Sequence, residues 1–266
     1  MTEPPARTDP ALSADAPALT RVALFAGCFE LFNDPAAGRA LVRVLAALGC
    51  EVILPMQRCC GLPALTAGNR NAALRDMHFN VDILAPLVAA GYAVVSGCPS
   101  CTLSLKEDYP DLLPDEPAAR AVARAASDAH AFVERLLDRR PDLPVTGHPF
   151  ARLRLAYHSP CHLRALGQGS APIRLLEKAG ALKFALANTT CCGMGGTFGM
   201  KDKNLDMSMA IGDAFFRRVK EAGIEAVVTP CGMCKTQIEG ATALRVYHPM
   251  ELLAGILAPQ PASAPR

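Results

Sequence analysis

Ten cysteines, arranged as two copies of one pattern, are the residues of this 266-residue chain best placed to do chemistry. Cys28, the adjacent pair Cys59-Cys60 followed by Gly61, and Cys98-Pro99-Ser100-Cys101 fall in the first half. Cys161, Cys191-Cys192-Gly193 and Cys231-Gly232-Met233-Cys234 repeat them in the second. The gaps agree too: 30 residues between Cys28 and Cys59 against 29 between Cys161 and Cys191, and 37 between Cys60 and Cys98 against 38 between Cys192 and Cys231. Self-similarity over so long a period marks one structural unit used twice.

A single cysteine at a strand end can be a small buried hydrophobe. Five matched positions in each half argue instead for ligands. Thiolates select zinc, copper(I) or iron–sulfur clusters. Structural zinc is satisfied by four ligands, whereas an adjacent pair within a set of five can reach separate irons of one assembly. The surplus favours a multi-iron site per half, with zinc in a site as the alternative. Cys-x-x-Cys between a strand and a helix also fits a redox dithiol, and a helix N-terminus favours the thiolate in either use. The eleventh cysteine, Cys50, follows a helix, has no counterpart and reads as a core thiol.

His158 and His162 flank Cys161 and are candidates for orienting a ligand or handling a proton. Arg58, Arg164, Lys201 and Lys235 adjoin cysteine positions, where a cation would offset thiolate charge; each alone reads as a solvated base. The glycines of Gly193-Met-Gly-Gly-Thr-Phe-Gly199 follow a cysteine pair rather than a strand, so they do not make a dinucleotide fingerprint.

The elements that must position these residues are also duplicated. Arg21–Ala26 and Leu153–Tyr157 read as buried strands leading to Cys28 and Cys161. Helical patterns over Ala36–Leu48 and Ala171–Ala179 end at Gly49 and Gly180. Strands follow at Glu51–Leu54 and Leu182–Leu186, then long helices at about 67–90 and 204–222, then strands at Ala93–Ser96 and Ala226–Thr229 that run into Cys-x-x-Cys. The alternation predicts an α/β fold of two pseudo-repeated domains, each a parallel sheet flanked by helices, with the cysteines at the strand carboxyl ends. The expected organisation is a disordered leader over 1–20, a first domain over 21–110, a connection over 111–152 with one helix at about 117–139, a second domain over 153–257 and a disordered tail over 258–266.

Composition narrows the partners. A net charge of +2, no tryptophan and 5% aromatics give no electrostatic or stacking footprint for nucleic acid. The uncharged stretch Ile83–Cys101 is broken by Pro86, Gly91 and Pro99, so no membrane span is expected. The first twenty residues have no apolar run before a cleavage site, which with an odd cysteine count predicts a reducing, cytoplasmic setting.

The double Cys-x30-Cys-Cys-Gly-x36-Cys-x-x-Cys pattern resembles the cysteine-rich CCG domain family found in heterodisulfide reductase, anaerobic glycerol-3-phosphate dehydrogenase, the iron–sulfur component of glycolate oxidase and lactate-utilisation proteins. The resemblance covers about residues 21–257. Tyr157-His-Ser-Pro-Cys161-His and the Cys191–Gly199 loop look most like the glycerol-3-phosphate and glycolate branches. It implies two four-iron sites, as in the noncubane clusters of the heterodisulfide reductase relative. Cys28, Cys59, Cys60, Cys98 and Cys101 would hold one, and Cys161, Cys191, Cys192, Cys231 and Cys234 the other. Residues 1–27 lack the ferredoxin-type cysteine motifs that precede this region in some relatives. The expected partners are therefore a flavin-containing dehydrogenase subunit, a ferredoxin-type subunit or both, with peripheral membrane association only through a partner. The expected function is electron relay from a flavin dehydrogenase, acting on a hydroxy acid or glycerol 3-phosphate, to quinone or a thiol/disulfide couple. A disulfide-cleaving catalytic subunit and a zinc-stabilised scaffold are the alternatives.

Overall fold

The computed structural model describes residues 20–140, 149–180 and 182–257. The segments expected as a disordered leader and tail lie outside these residues, save Thr20, the first residue of β1. The first half runs β1 (Thr20–Leu24), α1 (Gly27–Phe32), α2 (Pro35–Ala47), β2 (Cys50–Ile53), α3 (Leu62–Thr66), α4 (Arg70–Ala89), β3 (Ala93–Ser96), α5 (Pro99–Leu103), a π-helical turn (Ser104–Asp108), α6 (Tyr109–Leu112), α7 (Pro117–Ala125), β4 (Ala126–Asp128) and α8 (Ala129–Leu137). The second runs β5 (Leu155–His158), α9 (Cys161–Ala165), α10 (Ala171–Lys178), β6 (Phe184–Asn188), α11 (Leu205–Glu221), β7 (Ala226–Val228), α12 (Gly232–Thr242), β8 (Arg245–Tyr247) and α13 (Pro249–Leu257).

Two sheets of four parallel strands result, ordered β2-β1-β3-β4 and β6-β5-β7-β8. After β1 the chain moves to one side of the sheet and after β3 to the other, so the crevice between their carboxyl ends is a topological switch point. Cys28 follows β1 and Cys98 follows β3. Cys161 and Cys231 stand in the same relation to β5 and β7.

The helices that complete each sheet are shared between the halves. On α2, Ala37, Ala40, Leu41, Val44 and Leu45 are buried, the spacing of one helical face. That face packs against α13 of the other half, and α8 packs reciprocally on α10. One apolar core therefore runs through both halves, from Leu41, Val44 and Phe132 to Leu175, Leu176, Leu252 and Leu253.

Two expectations change. The single helix over 117–139 is two helices with β4 between them, and β4 pairs with β3. Asp128 causes the break: its Oδ1 accepts from the backbone N–H of His130 and Ala131, capping α8 while Ala126–Asp128 extend. The helix expected over 67–90 begins at Arg70, where Asn69 caps it, after the separate short α3. Pro86 sits inside α4, and Cys50 opens β2.

Candidate metal centre

Each Cys-Cys-Gly element turns sharply after its second cysteine, and both glycines take the same left-handed conformation, φ 92° at Gly61 and at Gly193. A side chain on Gly193 would stand 1.8 Å from the carbonyl oxygen of Ser208 on α11. This backbone approach holds Cys191 and Cys192 beside the strand ends. Each Cys-x-x-Cys is a helix start: Cys98 and Cys231 are the extended N-cap residues of α5 and α12.

In the first half each of the five thiols shifts the titration of another of the set. Cys28 Sγ lies 3.8 Å from Cys59 Sγ; Cys60 and Cys101 share one buried cluster, with Cys59 and Cys98 packed against it. The hydrogen bond from Cys28 and the neighbouring backbone amides hold Cys59 well below the ordinary thiol range. Cys98 is lowered to about 7 by its bond to Cys101 and by the amides of the helix start. The same crowding pushes Cys28 and Cys101 up. Five thiols that titrate against one another are a donor set suited to a cation.

In the second half Cys192 Sγ and Cys234 Sγ are 3.3 Å apart, and Cys231 is buried in the same cluster. Cys192 is lowered to about 4, chiefly by Cys234, with His158 assisting. Cys191 Sγ accepts from Gly193 N–H at 3.3 Å. Cys161, the most open of the ten, is raised by burial and by the charges of Cys191 and Cys231. The ligand atoms of His158, Cys192 and Cys234 lie within 4.8 Å of one another, all buried.

Of the two histidines, His158 stands at its own half's sulfurs, whereas His162 Nδ1 meets Ser100 Oγ of the first half at 2.8 Å. Lys235 also bridges the halves through Asp34, at 2.6 Å. Arg58 is engaged by Asp76 and by the Phe79 ring. Cys50 lies in neither cluster of thiols and burial pushes it up to about 11.

Several positioning residues went unread in the sequence. Asn80 accepts from Arg58 N–H at 2.7 Å and donates to Cys59 O at 3.0 Å, and Ser104 Oγ donates to Cys60 O at 2.9 Å. Gln57 accepts Gly27 N–H at 3.0 Å, fixing the turn into Cys28. Ser208 Oγ donates to Gly193 O and Asn188 meets His158. A buried Asn or Ser on an otherwise apolar helix face was the available signal.

Residues 22–106 and 155–239 each match the CCG cysteine-rich domain. The chain belongs to the CCG cysteine-rich domain family. Both CCG matches cover the three strands that carry cysteines and stop short of β4 and β8. The chain is 36% identical over 241 residues to the C subunit of anaerobic glycerol-3-phosphate dehydrogenase of Escherichia coli, covering 90% of this chain and 59% of that relative's length. It is 34% identical over 247 residues to lactate utilization protein A of Geobacillus kaustophilus, covering 88% of this chain and 98% of the relative. The B subunit of the fumarate reductase (CoM/CoB) of Methanothermobacter marburgensis is 29% identical over 251 residues, 88% of this chain and 46% of its own. Among the described residues no helix is long and apolar enough to cross a membrane.

Proposed function

We propose that this CCG protein is an iron–sulfur electron-transfer subunit of a multi-subunit oxidoreductase, each half holding one four-iron site. The observation that carries the reading is the gathering of five thiols in the first half, with Cys28 beside Cys59, and Cys60 and Cys101 packed with Cys59 and Cys98, at a topological switch point and matched by position in the second. Cys28, Cys59, Cys60, Cys98 and Cys101 would hold one cluster; Cys161, Cys191, Cys192, Cys231 and Cys234 would hold the other. The donor chemistry fits: soft thiolates in surplus over the four that zinc takes, with a backbone amide already aimed at the Cys191 sulfur. A bound cluster would supply one-electron transfer and no hydride acceptor.

The chain's own part is to hold and screen. Gln57, Asn80 and Ser104 fix the backbone that presents the first set, and Ser208 fixes the second. Relatives named as subunits of glycerol-3-phosphate dehydrogenase and fumarate reductase, and as a lactate utilization protein, support a place beside a flavin dehydrogenase acting on glycerol 3-phosphate or a small hydroxy acid. The electrons would pass to quinone or to a thiol/disulfide couple.

The test is an anaerobic assay of the intact protein, alone and with a flavin dehydrogenase partner. Substrate-driven reduction of a quinone analogue only with the partner is expected. Turnover of a small disulfide by the chain alone, with an artificial low-potential donor, would favour the disulfide-cleaving reading instead. Failure of both assays in iron-replete protein would overturn both.

A further inference from the structure

Phe25 and His158 hold the same place in the two halves, three residues before Cys28 and Cys161 at the carboxyl ends of β1 and β5. Phe25 is wholly buried in the apolar cluster that contains Cys60 and Cys101. His158, 1% exposed, stands instead against Cys192 and Cys234, the matching cysteines of the second half. The duplicated site is therefore not symmetric: one copy has an aromatic hydrocarbon where the other has an imidazole.

Which imidazole nitrogen carries the proton is settled by Asn188. Its Oδ1 accepts from Thr190 Oγ1 at 3.0 Å and its Nδ2 donates to Thr190 O at 3.2 Å, so the amide has one orientation. That orientation points Nδ2 at His158 Nδ1, 3.2 Å away. Nδ1 must then accept, and the proton sits on Nε2. A protonated Nε2 has no lone pair for a metal; it is a hydrogen-bond donor, and the imidazole stands within 4.8 Å of the Cys192 and Cys234 sulfurs. The Phe215 ring, 5.3 Å from the imidazole, helps hold it in place.

A hydrogen bond to a ligating sulfur draws off electron density and stabilises the extra negative charge of the reduced site. We propose that the Nε2–H of His158, donated to the Cys192 thiolate, sets the second site at the higher reduction potential, so that the first electron settles there and not on the site beside Phe25. The inference rests on the cluster reading above. In a titration with dithionite the balance is simple: dithionite is oxidised to sulfite, and the second site gains the first electron and the first site the next.

The experiment is an anaerobic dithionite titration of the full chain followed by electron paramagnetic resonance, with iron and sulfide measured on each sample. Cys192→Ser protein, which lacks an intact second site, assigns the first-site signal. Wild type should reduce in two separable steps, the second site first. His158→Phe should cut the preference for the second site about tenfold or more, about 59 mV for a one-electron couple, and leave the first-site step in place. His158→Gln, which retains an N–H donor, should fall between them. A single merged step in wild type, a second site reduced last, or equal movement of both steps in iron-replete His158→Phe overturns the proposal. Where His158→Phe loses iron, Asn188→Leu probes the same tautomer without touching the sulfurs, and no change of order there also overturns it. Wild-type protein without iron and sulfide overturns the cluster reading itself, and the ordering with it.

Discussion

His162 Nδ1 lies 2.8 Å from Ser100 Oγ, so the residue beside Cys161 is seated on the turn between Cys98 and Cys101 of the other half. The reverse contact exists as well. Phe29, beside Cys28, packs so closely on Gly232 of the second Cys-x-x-Cys that an added methyl there would stand 2.1 Å from the ring. Each isolated cysteine thus carries a neighbour that touches a residue lying between the paired cysteines of the opposite half. Together with the Lys235–Asp34 ion pair, these contacts join the two thiol sets across the interface.

Gly232→Ala should therefore destabilise the fold by about 1–3 kcal/mol, the usual cost of overpacking, because the Phe29 ring must shift. Gly240→Ala, in the same helix, meets nothing within 4 Å and should stabilise by about 0.5–1 kcal/mol through helix propensity. Denaturant unfolding of the two variants checks the pair. Equal effects would mean that the Phe29 contact is not formed.

Cys192→Ser should lose the metal of the second half and keep that of the first, since the ligand sets are separate. Cys50→Ser should leave metal content unchanged, because Cys50 packs in the shared core away from both sets. With its thiol raised to about 11, Cys50 should also react slowly with alkylating agents near neutral pH. Iron analysis and thiol labelling read both outcomes, and similar metal loss in the two variants would contradict this sorting.

His248 gives the acid limb of stability a specific source. Its Nδ1 accepts from Met250 N–H at 3.2 Å, and its Nε2 faces the Gly97 carbonyl at 3.4 Å, next to Cys98. Burial first, and then the His130 ring beside it, lower its pKa from 6.5 to about 3. The unfolded chain takes up this proton near its ordinary value while the folded chain does not. The stabilising contribution is thus complete above that value and is lost as pH falls towards about 3, at about 1.4 kcal/mol per pH unit. Between about pH 7 and about pH 5, wild type should lose about 2 kcal/mol more stability than His248→Gln. Parallel losses in chemical denaturation at the two pH values would remove His248 as the source.

The strands that lead to the cysteines were legible because each is a short apolar run placed before a cysteine element, and Ala93–Ser96 is wholly buried as its sequence suggests. β4 and β8 were not, because each is three residues long with no cysteine motif after it, whereas the equally short β7 runs into Cys231. Ala126-Ser127-Asp128 lies inside an amphipathic pattern whose two flanks are both helical, and only the capping residue Asp128 betrays the break. At the site, residue type and spacing marked the cysteines. That His162 serves the opposite half could not be read from its place beside Cys161, because the pairing of α9 with α5 arises only once the halves dock. The inequality of Phe25 and His158 was visible in the sequence by simple alignment of the two halves, but its meaning needed the Asn188 amide.

The central claim is that each half holds an iron–sulfur cluster, and metal with acid-labile sulfide in anaerobically purified protein tests it most directly. The account predicts brown protein with iron and sulfide in about equal amounts, near four of each per half, and far less zinc. Colourless protein carrying stoichiometric zinc and no sulfide would contradict it and leave a zinc-stabilised scaffold.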